Sequence, residues 1–162
     1  MKKFIKPLII VVFVLVVLFV FMQQFRIKNA EIGETLTLEN DVKMTMNDIE
    51  FNKEIFTDKS VKLSDKTAII VSFTLNNSSK EDFSINHNDI RVDYDGDVDY
   101  RPEKLYRKTG GEWEESDGFV VEKITNKPTE FKAYILVPDE LIENTEKPLC
   151  VTMGTHSFDL RK

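Results

Sequence analysis

Residues 66–77 read KTAIIVSFTLNN, and this stretch decides the fold. Ile69, Val71, Phe73 and Leu75 fall on one side of a period-two pattern, and Ala68, Ile70, Ser72 and Thr74 on the other. Successive side chains of a strand point to opposite faces, so such alternation marks a β-strand. The first face is apolar throughout, as a sheet facing a second sheet requires. The other is only half dry. The polar run NNSSKED, residues 76–82, closes the strand as a turn.

The same alternation recurs on both sides. EFKAYILVP, residues 130–138, sets Phe131, Ala133, Ile135 and Val137 against Lys132, Tyr134 and Leu136. Pro138 ends that strand because it has no N–H for a ladder. Upstream, Leu36 and Leu38 share a face, and Val42, Met44 and Met46 alternate cleanly. The apolar phase then shifts to Ile49 and Phe51, which places a bulge or turn at Asn47–Asp48. Residues 52–66 read as a connection with room for one short strand. Phe83 and Ile85 make a short strand, and Ile90, Val92 and Tyr94 another. Asp95–Gly96 is a hairpin signal before Val98 and Tyr100. Residues 101–117 read as a long exposed loop or ragged hairpin around Gly110–Gly111. GFVVEKIT resumes β character, PDELIEN suggests one helical turn, and LCVTM with SFDL forms a terminal hairpin around Gly154. Eight or nine short strands without a long amphipathic helix after residue 28 predict an all-β sandwich or barrel.

The N-terminus follows different rules. Leu8 to Met22 carry no polar side chain, a run far longer than the usual strand of about 5–6 residues. With Phe4, Ile5 and Phe25, and with Lys6 snorkelling to the headgroups, residues 4–25 reach the roughly 20 residues a membrane span needs. A signal-peptide core is the competing reading. Cleavage needs small residues after the core, and QQFRIKNA offers only Ala30. An uncleaved single-pass transmembrane helix is therefore expected. Lys2, Lys3 and Lys6 precede it without an acid among them, which keeps the N-terminus cytoplasmic and sends the rest across the membrane. The expected organisation is a cytoplasmic tip and anchor over 1–28, a short polar stalk over 29–34, and an extracytoplasmic β-sandwich over 35–162.

Residues 1–28 hold five of the 22 Lys/Arg and none of the 28 Asp/Glu, so 17 basic against 28 acidic side chains leave the remainder at −11. Such a charge argues against nucleic acid, whose phosphates need a positive surface, and against tight contact with anionic lipid. The single cysteine, Cys150, excludes an internal disulfide. Within PLCVTM it reads as a small buried hydrophobe.

The stretch AIIVSFTLNNSSKEDFSINHNDIRVDYDGDVDY resembles the core of small immunoglobulin-like extracytoplasmic domains of the DUF4352 and MPT63-like (telokin-like) superfamily. The resemblance rests on order and spacing: Asn76–Asn77, Phe83 to Ile85, Asp95–Gly96, and Tyr134 to Pro138. It covers roughly residues 35–160. It implies an immunoglobulin-like β-sandwich of the bacterial cell envelope without catalytic residues to carry over. The chain departs from the pattern in lacking a lipid-bearing cysteine after the apolar run, and in having Asn126–Lys127–Pro128 where a glycine turn is common.

Two candidate sites stand out. Asp93, Asp95, Asp97 and Asp99 alternate around Gly96 and could surround calcium if the backbone looped. The competing reading is a solvated acidic hairpin with Val92, Tyr94, Val98 and Tyr100 packing beneath. Trp113, the only tryptophan, could form a contact patch with Tyr106 and Phe119, or fold over the sandwich edge. Cys150 and His156 offer two metal ligands, and two are not a site. No nucleophile–base pattern is evident, so no enzyme and no cofactor beyond calcium is expected. The expected role is a non-catalytic binding or interaction module in the envelope. The alternatives are a structural component of a membrane complex and a calcium-dependent binding domain. The expected partners are the bilayer, through residues 4–25, and an envelope protein or other extracytoplasmic ligand.

Overall fold

A computed structural model describes residues 14, 15, 17, 28–38, 41–55, 61–96, 98–122 and 127–161. The chain begins with β1 (Lys28–Ala30), β2 (Thr35–Thr37), β3 (Val42–Asn52), β4 (Glu54–Ile55), β5 (Val61–Lys62) and β6 (Lys66–Asn77). It continues through β7 (Phe83–Asn86), a 3-10 turn (His87–Asp89), β8 (Ile90–Tyr94), β9 (Val98–Tyr100) and β10 (Pro102–Thr109). Then come β11 (Glu112–Ser116), β12 (Gly118–Val121), β13 (Thr129–Pro138), a short helix α1 (Asp139–Glu143), β14 (Leu149–Met153) and β15 (His156–Asp159). One sheet has the order β11-β10-β13-β6-β3-β2, and the other β1-β15-β14-β8-β9. β12 pairs with β7, and β4 with β5.

The core lies where alternation placed it. Ile69, Val71, Phe73 and Leu75 of β6 are fully buried, as are Val42, Met44 and Met46 of β3. Phe131, Ala133, Ile135 and Val137 of β13 join them. The second sheet supplies Ile90, Val92, Val151, Met153 and Phe158. In register, Met46 and Phe131 flank Phe73, and the Phe73 and Phe131 rings stack with centroids 5.3 Å apart. The β3–β6 register slips between Met46 and Asp48, the bulge that the phase shift predicted. It brings Ile49 opposite Val71 and back onto the apolar face. Asp95 and Gly96 both take positive φ, at 55° and 77°, and turn β8 into β9. Asp139 ties α1 to β6: Thr67 Oγ1 donates to its Oδ1 at 2.7 Å, and Lys53 pairs with the same carboxylate. Lys53 chiefly, with Thr67 second, holds that carboxyl below its usual range.

Several expectations change. Residues 29–34 are not a free stalk. β1 runs parallel to β15, with Asn29 opposite Ser157 and Ala30 opposite Phe158, and Gly33 N–H donates to the Met46 carbonyl at 2.7 Å. Residues 101–117 are not ragged, since β10 and β11 pair regularly from Leu105–Ser116 to Thr109–Glu112. Cys150 is half-buried rather than core, because Leu149 and Val151 take the inward positions of β14. Val98 is 46% exposed, while Tyr94 and Tyr100 do pack against the core. Val14, Leu15 and Val17 are helical and exposed, and the rest of the expected span 4–25 lies outside the described residues. Among the described residues, no helix is long and apolar enough to cross a membrane.

Candidate contact face

β10 divides its side chains between the two faces of its sheet. Leu105 is buried opposite Ala133, so Tyr106 and Lys108 project from the outer face. Register then builds a cluster around them. On β11, Glu115 lies opposite Tyr106, and Trp113 opposite Lys108. On β13, Lys132 lies opposite Tyr106, and Tyr134 opposite Lys104. Tyr106 and Tyr134 meet edge to face with centroids 5.3 Å apart. Trp113 is 40% exposed, and its ring sits 5.1 Å from Lys132 Nζ and 5.8 Å from Lys108 Nζ. Each such cation contact contributes about 0.5–1 kcal/mol at an exposed site, enough to hold the ring in place without burying it.

The charges of this face are fixed in pairs. Lys104 Nζ donates to both oxygens of Glu115, at 2.9 and 3.1 Å, and Tyr106 Oη donates to Glu115 Oε2 at 2.8 Å. Lys108 pairs with Glu130 at 3.0 Å. Burial first, and the bond to Glu115 second, push the Tyr106 hydroxyl up to about 12, so it stays a donor at neutral pH. The Lys104 bond, followed by the Tyr106 bond, holds the Glu115 carboxyl below its usual range. The result is a flat aromatic surface with pre-set donors and acceptors on a rigid sheet.

Phe119 does not belong to this patch. It is buried, 5.9 Å from the Phe131 ring, with the Arg107 guanidinium 4.8 Å above it. β12 pairs with β7 rather than extending the outer face, which turns Phe119 inward. Tyr134 takes its place.

The acidic hairpin distributes its carboxylates. Asp93 accepts from Arg91 Nε at 3.1 Å and from Thr152 Oγ1 at 2.5 Å. Asp95 pairs with Lys147 at 2.7 Å, and Asp99 with Arg101 at 3.4 Å. Asp97 lies outside the described residues. Asp93 and Asp99 stand directly opposite each other, a repulsive arrangement that their separate arginines offset. Among the described residues, no three His, Cys, Asp or Glu side chains form a metal-binding group. Cys150 registers with Asp159, and His156 with Met153, so they are not cross-strand partners. Millimolar calcium, compared with a chelator at matched ionic strength, is expected to leave the thermal midpoint unchanged, because only tight binding to the folded state raises it. A calcium-specific rise abolished by Asp95→Asn with Asp97→Asn would overturn this.

A groove of about 600 Å³ opens elsewhere, between β7, the start of β8, the β14–β15 turn and the end of β2.

The chain resembles the crystal structure of an uncharacterized beta-sandwich protein from Clostridium difficile 630. The TM-score is 0.59 at 18% sequence identity, over 82% of this chain and 95% of that one. The fold is a β-sandwich. At that identity the likeness extends to the fold alone. No protein-family model matches the chain, and no curated protein matches it in sequence.

Sequence reasoning found Trp113 and Tyr106 but missed Tyr134 and Lys132. The signal was present: both lie on the non-core side of the alternation in 130–138. What it lacked was the pairing of β10 with β13.

Proposed function

We propose that this chain is a membrane-anchored, non-catalytic binding module of the bacterial cell envelope, with residues 4–25 in the bilayer and the sandwich on the extracytoplasmic side. The finer assignment, to the immunoglobulin-like DUF4352 and MPT63-like group, belongs to the same proposal and rests on the motif order described above. The observation that carries the binding reading is Trp113, 40% exposed on a sheet face beside Lys108 and Lys132. An exposed indole fixed on a strand offers apolar area and an N–H donor that a partner can cover. Tryptophan and tyrosine are enriched among the residues that dominate interface energies.

The test is capture from detergent-solubilised envelope by the full chain. Trp113→Ala is expected to weaken capture of a partner about tenfold, which corresponds to about 1.4 kcal/mol. Trp113→Phe is expected to restore most of it, and all three proteins should remain folded, with the alanine variant's melting midpoint lowered by no more than the lost contacts to Lys108 and Lys132 account for. Undiminished capture by the alanine variant would remove this face as the binding surface.

A further inference from the structure

We propose that the groove beside the β14–β15 turn faces the bilayer and takes the headgroup of a zwitterionic phospholipid. This rests on the anchor reading above. Only Arg26 and Ile27 separate Phe25, the last residue of the proposed span, from β1. Three residue steps reach at most about 10 Å. The Lys28 end of β1 is therefore held at the headgroup layer. Pairing then decides what else lies there. Lys28 registers with His156, His156 with Met153, and Met153 with Ile90. The Gly154–Thr155 turn and the start of β8 thus share the membrane end of the sheet, and both line the groove.

The lining suits a zwitterion. Arg91 keeps its Nε on Asp93 yet is 41% exposed, leaving its outer guanidinium nitrogens to a phosphodiester. Asp89 uses Oδ2 to accept the Asn86 N–H at 2.8 Å and presents the opposite charge two residues away, for a headgroup ammonium. Leu38 and Phe83, both partly buried, offer apolar surface to the adjoining glycerol and chain. The charge of −11 on residues 29–162 disfavours an anionic headgroup and leaves a zwitterionic one as the match.

The test uses the full chain with Trp113→Phe, reconstituted in vesicles of phosphatidylethanolamine and phosphatidylglycerol that carry a headgroup spin-labelled lipid. A tryptophan introduced as Thr155→Trp is expected to be strongly quenched. One introduced as Val98→Trp is expected to be unquenched. Val98 lies opposite Tyr94, and Ile90 to Tyr94 alone spans about 13 Å away from the turn. After detergent extraction, native mass spectrometry should find phosphatidylethanolamine retained over phosphatidylglycerol. Retention should fall about tenfold in Arg91→Gln, the loss of one charge-assisted bond, and should fall in Arg91→Lys as well, because one ammonium cannot replace the guanidinium fork that bridges Asp93 and the phosphodiester. A carbonate-resistant chain with an unquenched Thr155→Trp, or with equal retention in Arg91→Gln, would overturn this proposal and leave the anchor standing. A chain that carbonate strips from the vesicles would overturn the anchor itself.

Discussion

Replacing Phe73 by alanine is expected to cost about 3–5 kcal/mol of folding stability, the range for emptying a packed aromatic site. Phe73 is fully buried near the middle of β6, with strands hydrogen-bonded on both sides. Its ring stacks on Phe131 at an interplanar angle of 12°, and Met46 closes the other side. The paired backbones of β3 and β13 hold the strands at fixed spacing, so side-chain adjustment fills the space only in part. Phe73→Leu keeps more of the volume and should cost less. Denaturant unfolding of residues 28–162 gives both values. A loss below about 1 kcal/mol for the alanine variant would mean that the site collapses freely, against the close packing described.

The second large effect is expected from a polar residue. Asn77 is fully buried at the end of β6. Its amide nitrogen donates to the carbonyls of Glu81 and Val121, both at 2.9 Å. Its Oδ1 accepts from the Ser79 N–H at 3.0 Å and from Ser79 Oγ at 2.7 Å. One side chain therefore closes the β6–β7 turn and pins β12. Asn77→Ala leaves the Val121 carbonyl buried beside a void and frees the turn, at a cost of about 3 kcal/mol. Asn77→Asp keeps the acceptor and loses the donor, so it should rescue little. Hydrogen exchange would locate the damage in residues 78–86 and 118–121. Unchanged protection there would refute the pinning role.

Asn77 also shows where sequence reasoning stops. It was legible as part of a turn, since Asn-Asn-Ser-Ser is turn chemistry. Its parity with Leu75 and Phe73 puts it on the inward face, and that clue alone separates it from Asn76. Strands β6 and β13 were legible because alternation over ten or more residues leaves no second phase, and β3 because its one phase shift falls at Asn47–Asp48, where the ladder slips. The Asp95–Gly96 turn was legible because few residue pairs accept positive φ together. Pairing across long sequence separation was not legible. Nothing in LCVTM says which residues face inward until Val151 meets Val92 across the β8–β14 ladder. Likewise Phe119 and Trp113, six residues apart, go to core and surface because β12 leaves the sheet that β11 borders. The contact face is assembled from three strands, so no single window contains it.

The parallel pairing of β1 with β15 has a mechanical consequence. With the proposed anchor in place, tension between membrane and bound partner enters the sandwich through Lys28. It acts along β1, so the bonds to β15 are loaded together in shear rather than peeled in turn. They join only three residue pairs, against ten between β6 and β13. β1 therefore yields first, and the central ladders stay intact. Its release frees residues 28–32, up to the Gly33 bond to Met46, as slack of at most about 17 Å. On the proposed anchoring, this strand acts as a short clutch between domain and membrane, close-coupled at rest and compliant under load.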